Sequence, residues 1–245
     1  MSGTPATPDW FHTIPRTDPT RKQAPMTETT SPVHISVVLD RSGSMSSIAG
    51  DIVGGFNEFL AEQRKETGTA RITLVQFDGE DPFEVLIDGT DLWTAADLDR
   101  SAYRPRGMTP LYDAVGRMIE RIDAGIGKRK RQDLEAEDQV VAIVTDGLEN
   151  ASRHHTRSTV FDLIEDRRKD GWVFVFLGAN QDSFASGGAM AVPAGNRADW
   201  AATPRGSKKM WRDLSHSSSQ HRAKPRSERR ADSDHFYQED PDDAK

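Results

Sequence analysis

Short apolar runs alternate with helix-forming segments along the middle of this 245-residue chain. The runs are rich in β-branched residues, which is typical of strands buried on both faces of a sheet. Between them, apolar residues recur at helical spacing, which predicts helices that pack one stripe onto that sheet. Predicted strands lie at 35–39, 72–77, 83–87, 140–145 and 173–177, with a short edge strand at 190–192. The alternation predicts an α/β fold with a doubly wound, mostly parallel sheet and helices on both faces.

One pair of strands is joined by a turn instead of a helix. The turn is Asp78-Gly79-Glu80-Asp81-Pro82, a composition that favours a hairpin. A hairpin makes its two strands antiparallel, so we expect one antiparallel edge strand. Helices are predicted at about 48–65, 109–122, 158–164 and 196–220, with a short one at 97–103 and a polar loop at 123–138.

The two ends of the chain differ in composition from its middle. Residues 1–33 hold six of the 13 prolines, which prevent regular helices and central strands. Residues 221–245 are rich in arginine and acidic side chains and poor in apolar ones, a composition typical of disorder. We therefore predict one folded domain, residues 34–220, between a disordered Pro/Thr-rich leader and a disordered charged tail. Met26 is a plausible alternative start of the chain.

Oxygen-bearing side chains stand at the ends of the predicted strands. Asp40, Ser42 and Ser44 follow the first strand, Asp146 follows the strand that ends at residue 145, and Thr109 opens a long helix. Ligands of such sheets bind beyond the carboxyl ends of the strands, so we expect these five residues to converge there. Thr109 and the proline after it also form a typical helix start, with the threonine as cap.

The donor chemistry of this set selects a class of metal. All five residues offer hard oxygen atoms, and neither histidine nor cysteine accompanies them, which favours Mg²⁺, Mn²⁺ or Ca²⁺ over zinc or copper. The chain has no cysteine at all, which excludes disulfide scaffolds, thiolate zinc sites and cysteine nucleophiles.

The pattern Asp40-x-Ser42-x-Ser44, followed by Thr109 and Asp146, closely resembles the metal-ion-dependent adhesion site of von Willebrand factor A-type (VWA) domains. The resemblance spans residues 34–220 and is nearest to small bacterial members of the family. It implies the Rossmann-like VWA fold, with a divalent cation held directly by Ser42, Ser44 and Thr109. The two aspartates would hold the cation mainly through water, and a partner protein's Asp or Glu would fill the last coordination position.

This resemblance implies a non-enzymatic module that binds proteins in a metal-dependent way, as an adaptor in a multiprotein assembly. Neutral hydroxyl ligands leave the cation electrophilic, while the two nearby aspartate charges nearly cancel its +2. An incoming carboxylate is therefore attracted and not repelled. That carboxylate comes from another protein or from a second copy of this chain.

Other functions stay open at this point. A structural VWA domain with a relic metal site is the main alternative. A magnesium-dependent phosphohydrolase of the haloacid-dehalogenase type would need a second aspartate where Ser42 stands. A nucleotide-binding protein would need a phosphate-binding glycine loop, and Gly50 to Gly55 lie inside a predicted helix instead.

Charge and hydropathy give the remaining expectations. The net charge of −7 argues against a nucleic-acid binder, and the acidic residues after Lys128–Arg131 favour an exposed salt-bridged loop there. No stretch approaches 18 consecutive apolar residues and no secretory start is visible, so we expect a cytoplasmic protein without a membrane span. For Asp113 and Glu149 we expect solvated or helix-terminus roles.

Overall fold

The computed structural model describes residues 31–179 and 183–239. The strands are β1 (Val33–Asp40), β2 (Ala70–Phe77), β3 (Glu84–Asp91), β4 (Asp138–Thr145), β5 (Val173–Ala179) and β6 (Arg197–Trp200). The α-helices are α1 (Ala49–Gln63), α2 (Leu111–Arg131), α3 (Arg157–Lys169), α4 (Ser183–Gly188), α5 (Pro204–Ala223) and α6 (Arg226–Ala231). Short 3-10 helices lie at Gly43–Ile48, Ala194–Asn196 and Ser233–His235.

The six strands form one sheet in the order β3-β2-β1-β4-β5-β6. Every neighbouring pair is parallel except the β2–β3 hairpin, which confirms the predicted mostly parallel sheet with one antiparallel edge strand. Asp40 pairs with Phe77 and Leu39 with Val144, so β1, β2 and β4 end at the same edge. The loops after these strands therefore meet at one place.

Helices cover both faces of the sheet because side chains alternate along each strand. In β1, Val37 and Leu39 belong to the core beneath α1 and α5, whereas Val38 belongs to the core beneath α2 and α3. Within the described ranges, no helix is both long and apolar enough to cross a bilayer.

Several predicted boundaries are wrong. The polar segment 123–138 is not all loop, because α2 continues to Arg131. Its last turn holds Lys128–Arg131, where good helix formers carry positive charge next to the negative end of the helix dipole. Residues 97–103 form no helix, and 190–192 form no strand. The edge strand is β6, and the last long helix starts at Pro204 instead of residue 196.

The predicted disordered tail over 221–245 is wrong for residues 221–239, which fold back onto the domain. Arg229 is only 1% exposed, and its guanidinium donates to the backbone carbonyls of Ser31 and Lys224 and pairs with Asp138 at 3.0 Å. Phe236 is buried as well. Composition predicts solvation here, but each buried charge has acceptors that only the fold supplies. The predicted leader over 1–33 is wrong at its end, because Val33 is buried and begins β1. The predicted disorder of residues 1–30 and 240–245 falls outside the described residues.

Candidate metal-ion site

The structure brings the predicted site residues together at the carboxyl edge of the sheet. Asp40 is the last residue of β1, and Ser42 and Ser44 lie in the turn that follows it. Asp146 directly follows β4, the neighbour of β1, and Thr109 precedes α2. Three segments distant in sequence therefore contribute to one cluster.

Hydrogen bonds connect most of this cluster directly. The hydroxyls of Ser42 and Ser44 are 3.1 Å apart, and Ser44 Oγ donates to Asp146 Oδ1 at 2.5 Å. The Ser42 N–H donates to Asp40 Oδ1 at 2.7 Å, and Thr145 Oγ1 donates to Asp40 Oδ2 at 2.6 Å. The loops after β1 and β4 thus meet through side-chain oxygens, which confirms that these loops converge.

Thr109 faces the same space from a third loop. A methyl group built on Gly147 would lie 2.9 Å from Thr109 Oγ1 and 3.6 Å from Asp40 Oδ2, so both oxygens border the small space beside this glycine. The predicted capping role of Thr109 is wrong, because Pro110 occupies the cap position of α2 and the first turn of the helix donates to the side chains of Glu149 and Ser152 instead. The threonine hydroxyl is therefore not used to start the helix.

The cluster is buried at its base and open at its rim. Asp40, Ser42 and Thr109 are at most 3% exposed, whereas Asp146 is half-buried and Ser44 is exposed. Burial raises the pKa of Asp40 to about 6 and outweighs the hydrogen bonds from Thr145 and Ser42, which lower it. Burial also raises the pKa of Asp146, and the hydrogen bond from Ser44 opposes this.

The two carboxylates of the cluster, Asp40 and Asp146, form no ion pair with a lysine or arginine among the residues that the structure describes. Two carboxylates that share a partly buried place without a counter-charge repel each other when ionised. A bound cation would remove that repulsion.

Arg41 lies between two site residues in sequence but turns away from the cluster. Its guanidinium pairs with Asp78 at 2.5 Å and with Glu84 at 2.6 Å. Asp78 is fully buried, and it also accepts from Arg106 Nε at 3.1 Å. The backbone N–H of Arg106 in turn donates to the backbone carbonyl oxygen of Arg41 at 2.9 Å. Asp78 therefore ties the loop of Ser42 to the loop that leads to Thr109.

Sequence reasoning missed Asp78 as a site-supporting residue and assigned it only to a turn. Burial alone would raise its pKa, but the backbone N–H groups of Asp81 and Glu80 and the guanidiniums of Arg106 and Arg41 outweigh burial and lower it. The available signal was its position, since it follows β2 just as Asp40 ends β1 and Asp146 follows β4.

Tyr103 and Asn150 were also missed. The Tyr103 hydroxyl, buried in the core, donates to the Asp40 carbonyl oxygen at 2.5 Å. Asn150 Oδ1 accepts from the Thr109 N–H at 2.8 Å, and the Asn150 N–H donates to the Thr109 carbonyl at 3.1 Å. Both residues fix the backbone of a site residue, and no local sequence pattern marks such long-range contacts.

Asp113 and Glu149 connect the start of α2 to the loop that follows β4. Glu149 accepts from the N–H of Tyr112 in the first turn of α2, so its predicted helix-terminus role is confirmed. The solvated alternative is wrong for Asp113, which is 1% exposed and accepts from the N–H groups of Arg153, His154 and His155. Together they hold the loop after Asp146 against α2.

No cluster of three or more histidine, cysteine, aspartate or glutamate side chains lies in the described part of the chain in a way that could hold a metal ion. The candidate site at the sheet edge has a different composition, with two carboxylates and three hydroxyls.

Comparison with known proteins identifies the fold. No protein-family profile matches the sequence, and no curated protein does either. Similar solved structures include proximal thread matrix protein 1 (PTMP1) from the mussel byssus, at 15% identity and a TM-score of 0.54. They also include a von Willebrand factor type A protein from Catenulispora acidiphila, at 13% and 0.55, and the SpRpn10 VWA domain, at 11% and 0.52.

These three comparisons cover 78%, 77% and 74% of this chain. The chain covers 94% of the Rpn10 domain but only 46% of PTMP1 and 43% of the Catenulispora protein, so it spans less than half of those two. At such low identity the likeness shows the fold alone. That fold is the VWA fold, as the sequence resemblance implied.

Proposed function

We propose that this chain, which has the VWA fold, is a non-enzymatic module that binds a partner protein through a divalent metal ion. One observation carries the proposal. Three hydroxyls and two carboxylates from three separate loops converge at the carboxyl edge of the sheet, and neither carboxylate pairs with a lysine or arginine in the described part of the chain. The cluster is joined by hydrogen bonds between neutral donors and its two carboxylates, so its negative charge is left for a bound cation to neutralise.

The donors fit a hard divalent cation. Ser42, Ser44 and Thr109 would ligate the ion directly, and Asp40 and Asp146 would hold it mainly through water. Oxygen donors of this kind favour Mg²⁺, with Mn²⁺ and Ca²⁺ as alternatives. The bound ion would supply an electrophilic centre for an oxygen ligand. The space beside Gly147, bordered by Thr109 and Asp40, is consistent with that role.

The charge balance favours a carboxylate as the outside ligand. Two aspartates nearly neutralise a doubly charged cation, so an anion can approach, and neutral hydroxyls leave the cation short of donated charge. The open rim at Ser44 and Asp146 gives a partner access. The partner would therefore present an aspartate or glutamate.

A solved structure supports a divalent metal in general. PTMP1 has also been determined with zinc in its metal-ion-dependent adhesion site (MIDAS) motif, and that structure has a TM-score of 0.53 to this chain. The choice of Mg²⁺ for this chain rests on the donor set alone. The adaptor role and self-association are predictions that follow from the sequence resemblance, and the cytoplasmic location is a prediction from the hydropathy of the sequence.

A metal-controlled capture experiment tests the proposal. The full chain is immobilised, incubated with extract of its native cells in Mg²⁺, washed, and eluted with chelator. We expect proteins in the chelator eluate that are absent when the Ser42→Ala/Ser44→Ala double variant is immobilised. The same proteins from both baits, or none released by chelator, would contradict the proposal. Unchanged thermal unfolding of the metal-free double variant shows that the fold is retained.

A further inference from the structure

Two exposed apolar side chains flank the candidate site. Met108, directly before Thr109, is 53% exposed, and Leu148, directly after Gly147, is 62% exposed. The other large apolar side chains that are exposed in the described part of the chain are Trp93, Leu134 and Phe161. Two of five such side chains thus border a single site, and apolar surface gathered next to a binding site is typical of an interaction surface.

The backbones of both residues are held by the fold. A methyl group on Gly79 would lie 2.8 Å from the Met108 nitrogen, so the loop of Met108 packs directly on the β2–β3 turn. Leu148 follows Gly147, whose N–H donates to Thr145 Oγ1 at 3.1 Å. Because these loops are already ordered, a partner that buries Met108 and Leu148 does not have to order their backbones first.

The same two loops carry arginines that are available to a partner. Arg104 and Arg153 are exposed, and neither forms an ion pair with any residue in the described ranges. Two acidic side chains of the adjoining β2–β3 turn are already engaged, since Asp78 and Glu80 both pair with Arg106. Unpaired positive charge around a site favours negatively charged partners and speeds their encounter.

We propose that Met108, Leu148, Arg104 and Arg153 form a docking rim for an acidic protein segment in which the metal-directed Asp or Glu is flanked by an apolar side chain. The inference rests on the proposed function and adds the chemistry of the partner to it. The metal selects the carboxylate, Met108 and Leu148 select its apolar neighbour, and the arginines select further acidic residues. A segment with an isolated acid between polar residues binds more weakly.

A peptide selection tests this inference without knowledge of the natural partner. The full chain is used to select from a displayed library of random peptides in the presence of Mn²⁺, and bound members are released with chelator. Enriched peptides are synthesised, and their affinities are measured by fluorescence anisotropy for the wild type and for single variants. The variants are Met108→Ser, Leu148→Ser and a matched control, Trp93→Ser.

The control is equally exposed but lies at the opposite edge of the sheet. Trp93 is 58% exposed and follows β3, which runs antiparallel to its neighbour β2 and ends at the other edge. We expect enriched peptides to share an acid next to an apolar residue. Met108→Ser and Leu148→Ser should each weaken their binding about tenfold, and Trp93→Ser should not. Calorimetry should show unchanged Mn²⁺ binding in all three variants.

Two results overturn the inference, and they are distinguishable. Acid-containing peptides without an apolar preference, or with affinities unaffected by Met108→Ser and Leu148→Ser, would contradict the docking rim and leave the metal-dependent carboxylate site standing. A selection that enriches no chelator-released peptide would contradict both the rim and the proposed function.

Discussion

Replacement of Asp78 by asparagine should destabilise the protein and weaken its metal site together. Asparagine keeps the size of the side chain but removes the charge that pairs with Arg41 at 2.5 Å. The Arg41 side chain is 5% exposed and would keep only Glu84, which is 39% exposed. Removal of one partner of a buried ion pair costs about 3–5 kcal/mol of stability. Because Arg41 keeps its contact with Glu84, we expect a cost near the lower end of this range. Because Asp78 also joins the loops of Ser42 and Thr109, we expect about tenfold weaker Mn²⁺ binding.

Chemical denaturation and calorimetry measure the two effects on the same variant. The matched control is Asp88→Asn, which removes an ion pair of the same length, 2.5 Å to Arg121, but with both side chains exposed. That change should cost less than about 1 kcal/mol and leave Mn²⁺ affinity unchanged. Equal losses of stability in the two variants would refute the reasoning on burial. A large loss of stability at Asp78 with unchanged Mn²⁺ affinity would refute its role in positioning the site.

Three further predictions concern the site and the core. Gly147→Ala would place a methyl group 2.9 Å from Thr109 Oγ1, so calorimetry should show at least tenfold weaker Mn²⁺ binding, and unchanged affinity would contradict the assigned space. Mg²⁺ at 100 times its dissociation constant should add about 2.7 kcal/mol to the free energy of unfolding of the wild type and so raise its unfolding temperature. A similar rise in Ser42→Ala/Ser44→Ala would argue against this site. Burial and the charges of Arg71 and Arg129 lower the pKa of His34 from 6.5 to about 4. The contribution of the neutral His34 side chain to the free energy of unfolding is therefore fully present above pH 6.5. It is lost as the pH falls toward 4, by at most about 3 kcal/mol. The unfolding free energy of His34→Gln should therefore fall less steeply over this range than that of wild type or of a variant at the exposed His154, and parallel curves would contradict the assignment.

The central strands could be predicted from sequence because their residues meet apolar neighbours on both faces. In β1, β4 and β5 nearly every side chain is buried, so the apolar run itself marks the strand. The edge strand β6 could not be found this way, since only Trp200 of its four residues is buried and Arg197 and Asp199 are charged. Residues 221–239 could not be found either, because Arg222 and Arg229 are buried only where distant carbonyl groups accept their hydrogen bonds.

The convergence of the five candidate residues could be predicted because each stands next to the end of a strand or the start of a helix. The cluster that supports them could not be predicted from local pattern. Arg41 and Asp78 become neighbours only because β1 and β2 pair in the register that sets Asp40 beside Phe77. With that register known, the contact follows directly, so the missing information was the alignment of two strands and not a residue type.

Anomalous diffraction from crystals of the full chain grown with Mn²⁺ tests the central claim most directly. The account predicts one strong anomalous peak within about 2.5 Å of the hydroxyl oxygens of Ser42, Ser44 and Thr109, and no such peak in crystals of Ser42→Ala/Ser44→Ala. A wild-type map without a peak at the carboxyl edge of the sheet, or a peak that survives in the double variant, would contradict it.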